Sequence, residues 1–153
     1  FSDEIEMGKN KFQNESVEIV QKNENIECYI GDDKFLFKNY KNEVGNPIKG
    51  YLNIIYDGKK TKIYRSNKKV FMEATQARTS LERAFPARYI DEKSYYISTN
   101  DFSQINYLKT SKKYILKLID NKEKKIKKFI SENKIKLKNE DDLIKVFVFF
   151  DSL

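Results

Sequence analysis

The sequence contains no histidine, and that absence removes more chemistry than any other feature of its 153 residues. Ser–His and Cys–His nucleophilic pairs, imidazole metal sites and imidazole acid–base steps are all excluded within this chain. An enzyme built from it would have to work with carboxylates, lysines or tyrosines, and no spacing singles any of these out. The two Asp-Asp doublets, Asp32-Asp33 and Asp141-Asp142, read as turn and helix-cap residues. The expectation is therefore a protein that is not an enzyme, with no cofactor and no metal site.

Tryptophan is likewise missing, and cysteine occurs once, at Cys28. One cysteine closes no intrachain disulfide and builds no cysteine metal cluster. Its place in the alternation Ile26, Cys28, Ile30 reads as a small core residue. Long apolar runs are absent too. The longest, Val146 to Phe150, is far short of the roughly 20 residues that a membrane-spanning helix needs. The chain does not begin with Met, so Phe1 is expected to be a processing boundary with a signal peptide removed ahead of it.

What is present points to an ordered domain. Aromatic residues make up 14% of the chain, eleven Phe and ten Tyr, and disordered chains lack such a share. Hydrophobic residues reach 39% and charged residues 35%, enough for a core beneath a heavily charged surface. The length suits a single domain, 1–153, with a strand-rich part over 1–108 and a helical part over 109–153.

The net charge of +7 is unevenly spread, being −4 over 1–48, +5 over 49–108, +9 over 109–138 and −3 over the last fifteen residues. A basic stripe of this kind is able to bind phosphates. Within 122–134, however, Ile126, Phe129 and Ile130 fall on one helical face, while Lys124, Lys125, Lys127 and Lys128 spread over the opposite arc. That is also the pattern of a solvated helix surface. These four lysines are candidate anion-facing residues on the first reading and surface residues on the second. Lysine outnumbers arginine twenty-six to four, in a chain rich in Asn and Ile, which resembles the codon usage of an A+T-rich genome.

The four arginines, Arg65, Arg78, Arg83 and Arg88, all lie within one short stretch. Where lysine is the habitual cation, arginine points to planar, multidentate hydrogen bonding. Two readings follow. Either the arginines form ion pairs with Glu73, Glu82, Asp91 or Glu92 that hold a loop, or they form a contact cluster for an anion or a partner.

Along the chain, 1–14 gives no clear pattern. Strands are expected at 16–20, 26–30, 35–37, 70–74, 88–90 and 94–98, with Gly31, Asp32 and Asp33 turning a hairpin and 42–50 forming a loop. Asp57-Gly58 suits a two-residue type I′ turn between 51–56 and 59–64, placing Tyr56 opposite Lys59, Ile54 opposite Thr61 and Leu52 opposite Ile63. The segment 75–84 suits a loop or a helical turn, ended by Pro86. From Thr110 the period becomes helical. Ser111 caps a helix bearing Ile115, Leu118 and Ile119; Asp120 or Asn121 caps a second; Asn139 caps a third with Leu143, Ile144, Phe147 and Phe150 on its apolar face. The fold class is α+β: an antiparallel, strand-rich N-terminal two-thirds with a C-terminal segment of two to three helices packed on it.

Residues 49–153 also carry an ordered set of motifs: Gly50-Tyr51, Tyr56-Asp57-Gly58, the basic run Arg65, Lys68, Lys69 ahead of Phe71, Pro86-Ala87-Arg88-Tyr89, Tyr95-Tyr96, the lysine-rich helices, Glu140-Asp141-Asp142-Leu143-Ile144 and the closing Phe149-Phe150-Asp151-Ser152-Leu153. In this order they resemble an uncharacterised family of secreted or periplasmic proteins from Bacteroidetes-type bacteria. The resemblance implies export and a periplasmic, extracellular or outer-membrane-associated location, with the cytoplasm as the other compartment. It carries no activity. The expected role is a non-catalytic binding or accessory module of the cell envelope acting on a protein partner. The alternative is a nucleic-acid-binding domain using the lysine-rich face of 109–138.

Overall fold

The chain's computed structural model describes residues 4–7, 18–21, 23–24, 26–119 and 121–153. Strands β1 (Glu4–Met7) and β2 (Glu18–Gln21) pair antiparallel as a two-stranded sheet of their own. The expected strand over 16–20 is thus β2, its first two residues lying outside the described ones. Six further strands form an antiparallel meander in sequence order: β3 (Glu27–Ile30), β4 (Asp33–Lys41), β5 (Pro47–Asp57), β6 (Thr61–Met72), β7 (Arg88–Thr99) and β8 (Asn106–Tyr107). Helices α1 (Lys112–Leu118), α2 (Glu123–Glu132) and α3 (Glu140–Ser152) follow. The arrangement is α+β, as the hydropathy periods predict.

Turn chemistry sets the strand register. Ile30 pairs with Asp33 across Gly31-Asp32, and Gly31 takes φ +61°, a left-handed conformation cheap only for glycine. The Asp57-Gly58 turn departs from expectation. Gly58 is not left-handed, the connection is longer than two residues, and Asp57 pairs with Lys62 and Tyr56 with Ile63. A bulge at Ile55 then shifts the ladder, so Ile54 meets Tyr64 and Asn53 meets Arg65. Leu52 and Ile63 therefore belong to opposite faces of the sheet. Gly58 is instead needed for closeness, because a Cβ there would collide with the Asp151 carboxylate and the Tyr56 ring.

Each face has its own core. On one, Ile63 and Ile97 pack with Leu108 against Ile115, Leu116 and Ile119, Ile126 and Ile130 of α2, and Leu143, Val146 and Phe147 of α3. On the other, Tyr40, Leu52, Tyr64, Tyr96 and Ile105 cluster together. That second core is closed by the sheet's own curl: Lys41 N at the end of β4 donates to Ile105 O just before β8, at 2.9 Å. Burying each of these aliphatic or aromatic side chains contributes about 1.5–3 kcal/mol, so the helical face is the main source of stability.

The helices follow the expected pattern with local differences. Asn139 caps α3, its side chain accepting from Asp142 N at 3.1 Å, and Ser111 holds the cap position of α1. Lys122, not Asn121, precedes α2, and Asp120 lies outside the described residues. Leu118 is exposed while Leu116 is buried, because the short α1 turns that face inward. Among the strands, the loop expected over 42–50 shrinks to the turn before Pro47, where Gly45 takes φ +87°. The runs expected at 88–90 and 94–98 are parts of the long strand β7, and the run expected at 70–74 is the end of β6, which stops at Met72. Cys28 is half-buried rather than core, and Ile26 and Ile30 are exposed, because β3 is the edge strand of its sheet.

Candidate interaction surface

Strands β6 and β7 pair continuously from Thr61–Thr99 to Met72–Arg88, longer than any neighbour. Only their proximal halves are packed. Beyond Ser66 and Ser94 the two strands leave the sheet as a projecting ribbon, which we call the arm. Its neck is polar on both strands, with Asn67, Lys68 and Lys69 facing Lys93, Glu92 and Asp91. Opposite charges thus face each other at Lys68–Glu92 and Lys69–Asp91, a stabilising cross-strand arrangement.

Past the neck the arm becomes apolar. Phe71 and Tyr89 stack their rings at 5.2 Å, tilted by 57°. Met72, Phe85 and Ile90 are also exposed, and Leu81 at the tip is 95% exposed. The 73–87 connection is held by a Thr75–Phe85 bridge, with hydrogen bonds of 2.9 and 3.0 Å, and by Glu82, whose carboxylate accepts from Arg78 N at 2.9 Å. The Arg88 guanidinium lies 4.7 Å over the Phe85 ring. So many uncovered apolar side chains in one place are uncommon on the surface of a folded protein.

Three of the four arginines, Arg78, Arg83 and Arg88, sit on this arm, exposed. Arg65 does not join them. It points from β6 toward α3, where Nη1 donates to Glu140 Oε1 at 2.7 Å and Nη2 lies 3.7 Å from Asp33. Tyr95 OH donates to the second Glu140 oxygen at 3.0 Å. Burial first, and then this carboxylate, push the Tyr95 phenol up to about 12. Among the described residues Arg65 is the arginine in ion pairs, and its acids are Glu140 and Asp33 rather than the four expected ones. Among the described residues, Arg78, Arg83 and Arg88 form no ion pair with Glu73, Glu82, Asp91 or Glu92. The four-arginine cluster separates into one structural anchor and three arm residues.

On α2, Ile126 and Ile130 are buried, Phe129 stacks on Phe149 at 4.2 Å, and Lys124, Lys125, Lys127 and Lys128 are exposed. Lys128 reaches Glu132 at 3.7 Å. An open groove of about 280 Å³ lies beside β8 and α1, lined among others by Lys41, Glu43, Tyr107, Lys109 and Tyr114. Among the described residues no group of His, Cys, Asp and Glu gathers as a metal site, and no helix is long and apolar enough to cross a membrane.

The arm's apolar residues escape sequence reading because the two strands look like fragments. The usable signal is the pair of polar runs, Ser66-Asn67-Lys68-Lys69 and Asp91-Glu92-Lys93-Ser94. Polar residues at consecutive positions of both strands wet both faces, which is what a projecting ribbon requires.

The class this defines is an α+β protein with a closed helical flank and a projecting hairpin. The chain matches no family model, no curated protein and no solved structure.

Proposed function

We propose that the chain is a non-catalytic binding or accessory module of the bacterial cell envelope, acting on a protein partner through the tip of its arm. The observation that carries this is the exposed set Phe71, Met72, Leu81, Phe85 and Tyr89, held away from the body on a polar neck and accompanied by Arg78, Arg83 and Arg88. Aromatic residues, Met and Arg are the types enriched where protein interfaces concentrate their binding energy. The absence of histidine and the resemblance of 49–153 to exported proteins add support for a non-enzymatic envelope role.

A photo-crosslinking residue at position 81, with the same residue at 127 on α2 as control, tests this in cells with an intact envelope. A discrete protein adduct from 81 and none from 127 is expected. No adduct from 81, or the same abundant proteins from both positions, refutes the proposal.

A second reading rests on the exposure of Lys124, Lys125, Lys127 and Lys128, of which, among the described residues, only Lys128 is in an ion pair. A polyanion such as RNA would bind there with steep salt dependence. Salt titration of DNA and RNA binding decides it, and salt-insensitive retention removes it.

A further inference from the structure

The arm carries an unused strand edge. β8 occupies the outer edge of β7 only at Tyr96 and Ile97, and Leu108 N donates to Tyr95 O at 2.8 Å immediately beyond. From Ser94 back to Ala87 no strand lies beside β7 among the described residues. Pro86, which has no N–H, ends the available edge on the far side. Such a row of backbone donors and acceptors is a template for another strand.

We propose that this edge pairs with the same edge of a second copy, antiparallel and centred on Ile90, so that two arms join into a four-stranded sheet. The sequence of the edge is self-complementary in charge. Antiparallel pairing about Ile90 sets Arg88 opposite Glu92 of the second copy, Tyr89 opposite its Asp91, and Ile90 opposite its Ile90. Both ends of the edge then meet opposite charge, as a two-fold interface requires. The bounds agree with the centre, since Pro86 and Ser94 stand equally far from Ile90. The outer edge of β6 offers no such match, because Lys68 and Lys69 would find no acid within Asn67–Met72 of a second copy.

Side-chain rows reinforce the register. Val70 lies opposite Ile90 within one arm, so pairing at Ile90 extends an apolar row straight across four strands, Val70–Ile90–Ile90–Val70. Arg88 and Glu92 flank that row on the same face, beside Met72 and Lys68. Phe71 and Tyr89 line the other face. A two-stranded ribbon is marginal in water, whereas four strands with an apolar row are a stable unit. The 73–85 connection, with Leu81 and Phe85, stays outside the pairing and free for the contact proposed above, while the side chains of Phe71, Met72 and Tyr89 remain on the faces of the joined sheet.

Cysteine trapping reads the register directly. In a Cys28→Ser background, Ile90→Cys places two cysteines opposite one another at the two-fold axis, at the separation of directly opposed strand residues, about 4.5–5.5 Å, which suits a disulfide. Mild oxidation should give a disulfide dimer of Ile90→Cys. Arg88→Cys and Glu92→Cys should link when mixed and not alone. Sedimentation of the unmodified chain should show a concentration-dependent dimer, weakened at least tenfold by Glu92→Arg and restored by Arg88→Glu with Glu92→Arg. A chain monomeric at millimolar concentration overturns the proposal. So does self-linking of Arg88→Cys in place of Ile90→Cys, which reports another register, and so does linking of Ile90→Cys to a different protein. None of these outcomes touches the tip contact, which is read separately at position 81.

Discussion

The Tyr56 hydroxyl donates to the Asp151 carboxylate at 3.0 Å, joining the last turn of α3 to the strand that begins the β5–β6 connection. The other Asp151 oxygen accepts from Thr61 Oγ1 at 3.0 Å, and Thr61 is buried. At the opposite end of the helix, Glu140 receives Arg65 and Tyr95. The helix is thus pinned to the sheet at both ends, with Leu143, Val146 and Phe147 buried between.

Removing the first pin leaves two hydroxyls without an acceptor. Asp151→Ala should cost about 2–3 kcal/mol, since an orphaned buried polar group loses about 1–3 kcal/mol. Asp151→Asn should cost less, because it keeps an acceptor and removes a negative charge from the negative end of the helix dipole. Urea denaturation of the two variants beside the parent measures both.

Gly58 sits against the same carboxylate. Gly58→Ala forces its methyl group into Asp151 and the Tyr56 ring, and should destabilise by about 1–3 kcal/mol. Combined with Asp151→Ala the two losses should add to less than their sum, since one obstacle is already gone. Strict additivity would show that Gly58 is not held by this contact.

At the second pin, Glu140→Gln should cost about 2 kcal/mol, less than the 3–5 kcal/mol of a fully buried pair because both side chains keep some solvent contact. Arg65→Lys should not substitute, since one ammonium cannot span Asp33 and Glu140 as the guanidinium does. Thermal melts of the two variants test the order.

Alkaline pH should loosen both pins together. Tyr56 and Tyr95 are each pushed up to about 12 from 10.0, by burial first and then by the carboxylate each donates to. A phenol whose proton is held more tightly in the folded state contributes stability that is complete below pH 10 and lost as pH rises through about 12. Urea midpoints should therefore be level up to pH 10 and fall between 10 and 12. The fall should be shallower in a chain carrying Tyr56→Phe and Tyr95→Phe.

The arm should be energetically separate from the core. Leu81→Ser should change stability by no more than about 0.5 kcal/mol, as for other exposed positions. Leu143→Ala should cost about 2–5 kcal/mol because it empties a fully buried site. Similar losses from the two would show that the tip is packed.

The class of fold was legible because periodicity is a local property. The helical face of Ile126, Phe129 and Ile130, the Asn139 cap and the Gly31-Asp32 turn each depend on residues a few positions apart. The β5–β6 register was not legible. Asp57-Gly58 has the composition of a tight turn, but its glycine answers to Asp151, more than ninety residues away. The division of the arginines was equally hidden, since Arg65 and Arg78 differ only in what the fold brings near them.

By itself, then, the sequence determined the strand-to-helix order, the apolar helix faces and the exclusion of imidazole chemistry, all properties of residue identity and short-range spacing. Tertiary structure decided which face each strand turns to which core, which acids meet Arg65, and that β6 and β7 run on past the sheet into an uncovered arm. Those outcomes depend on contacts between residues far apart in the chain, which local pattern does not encode.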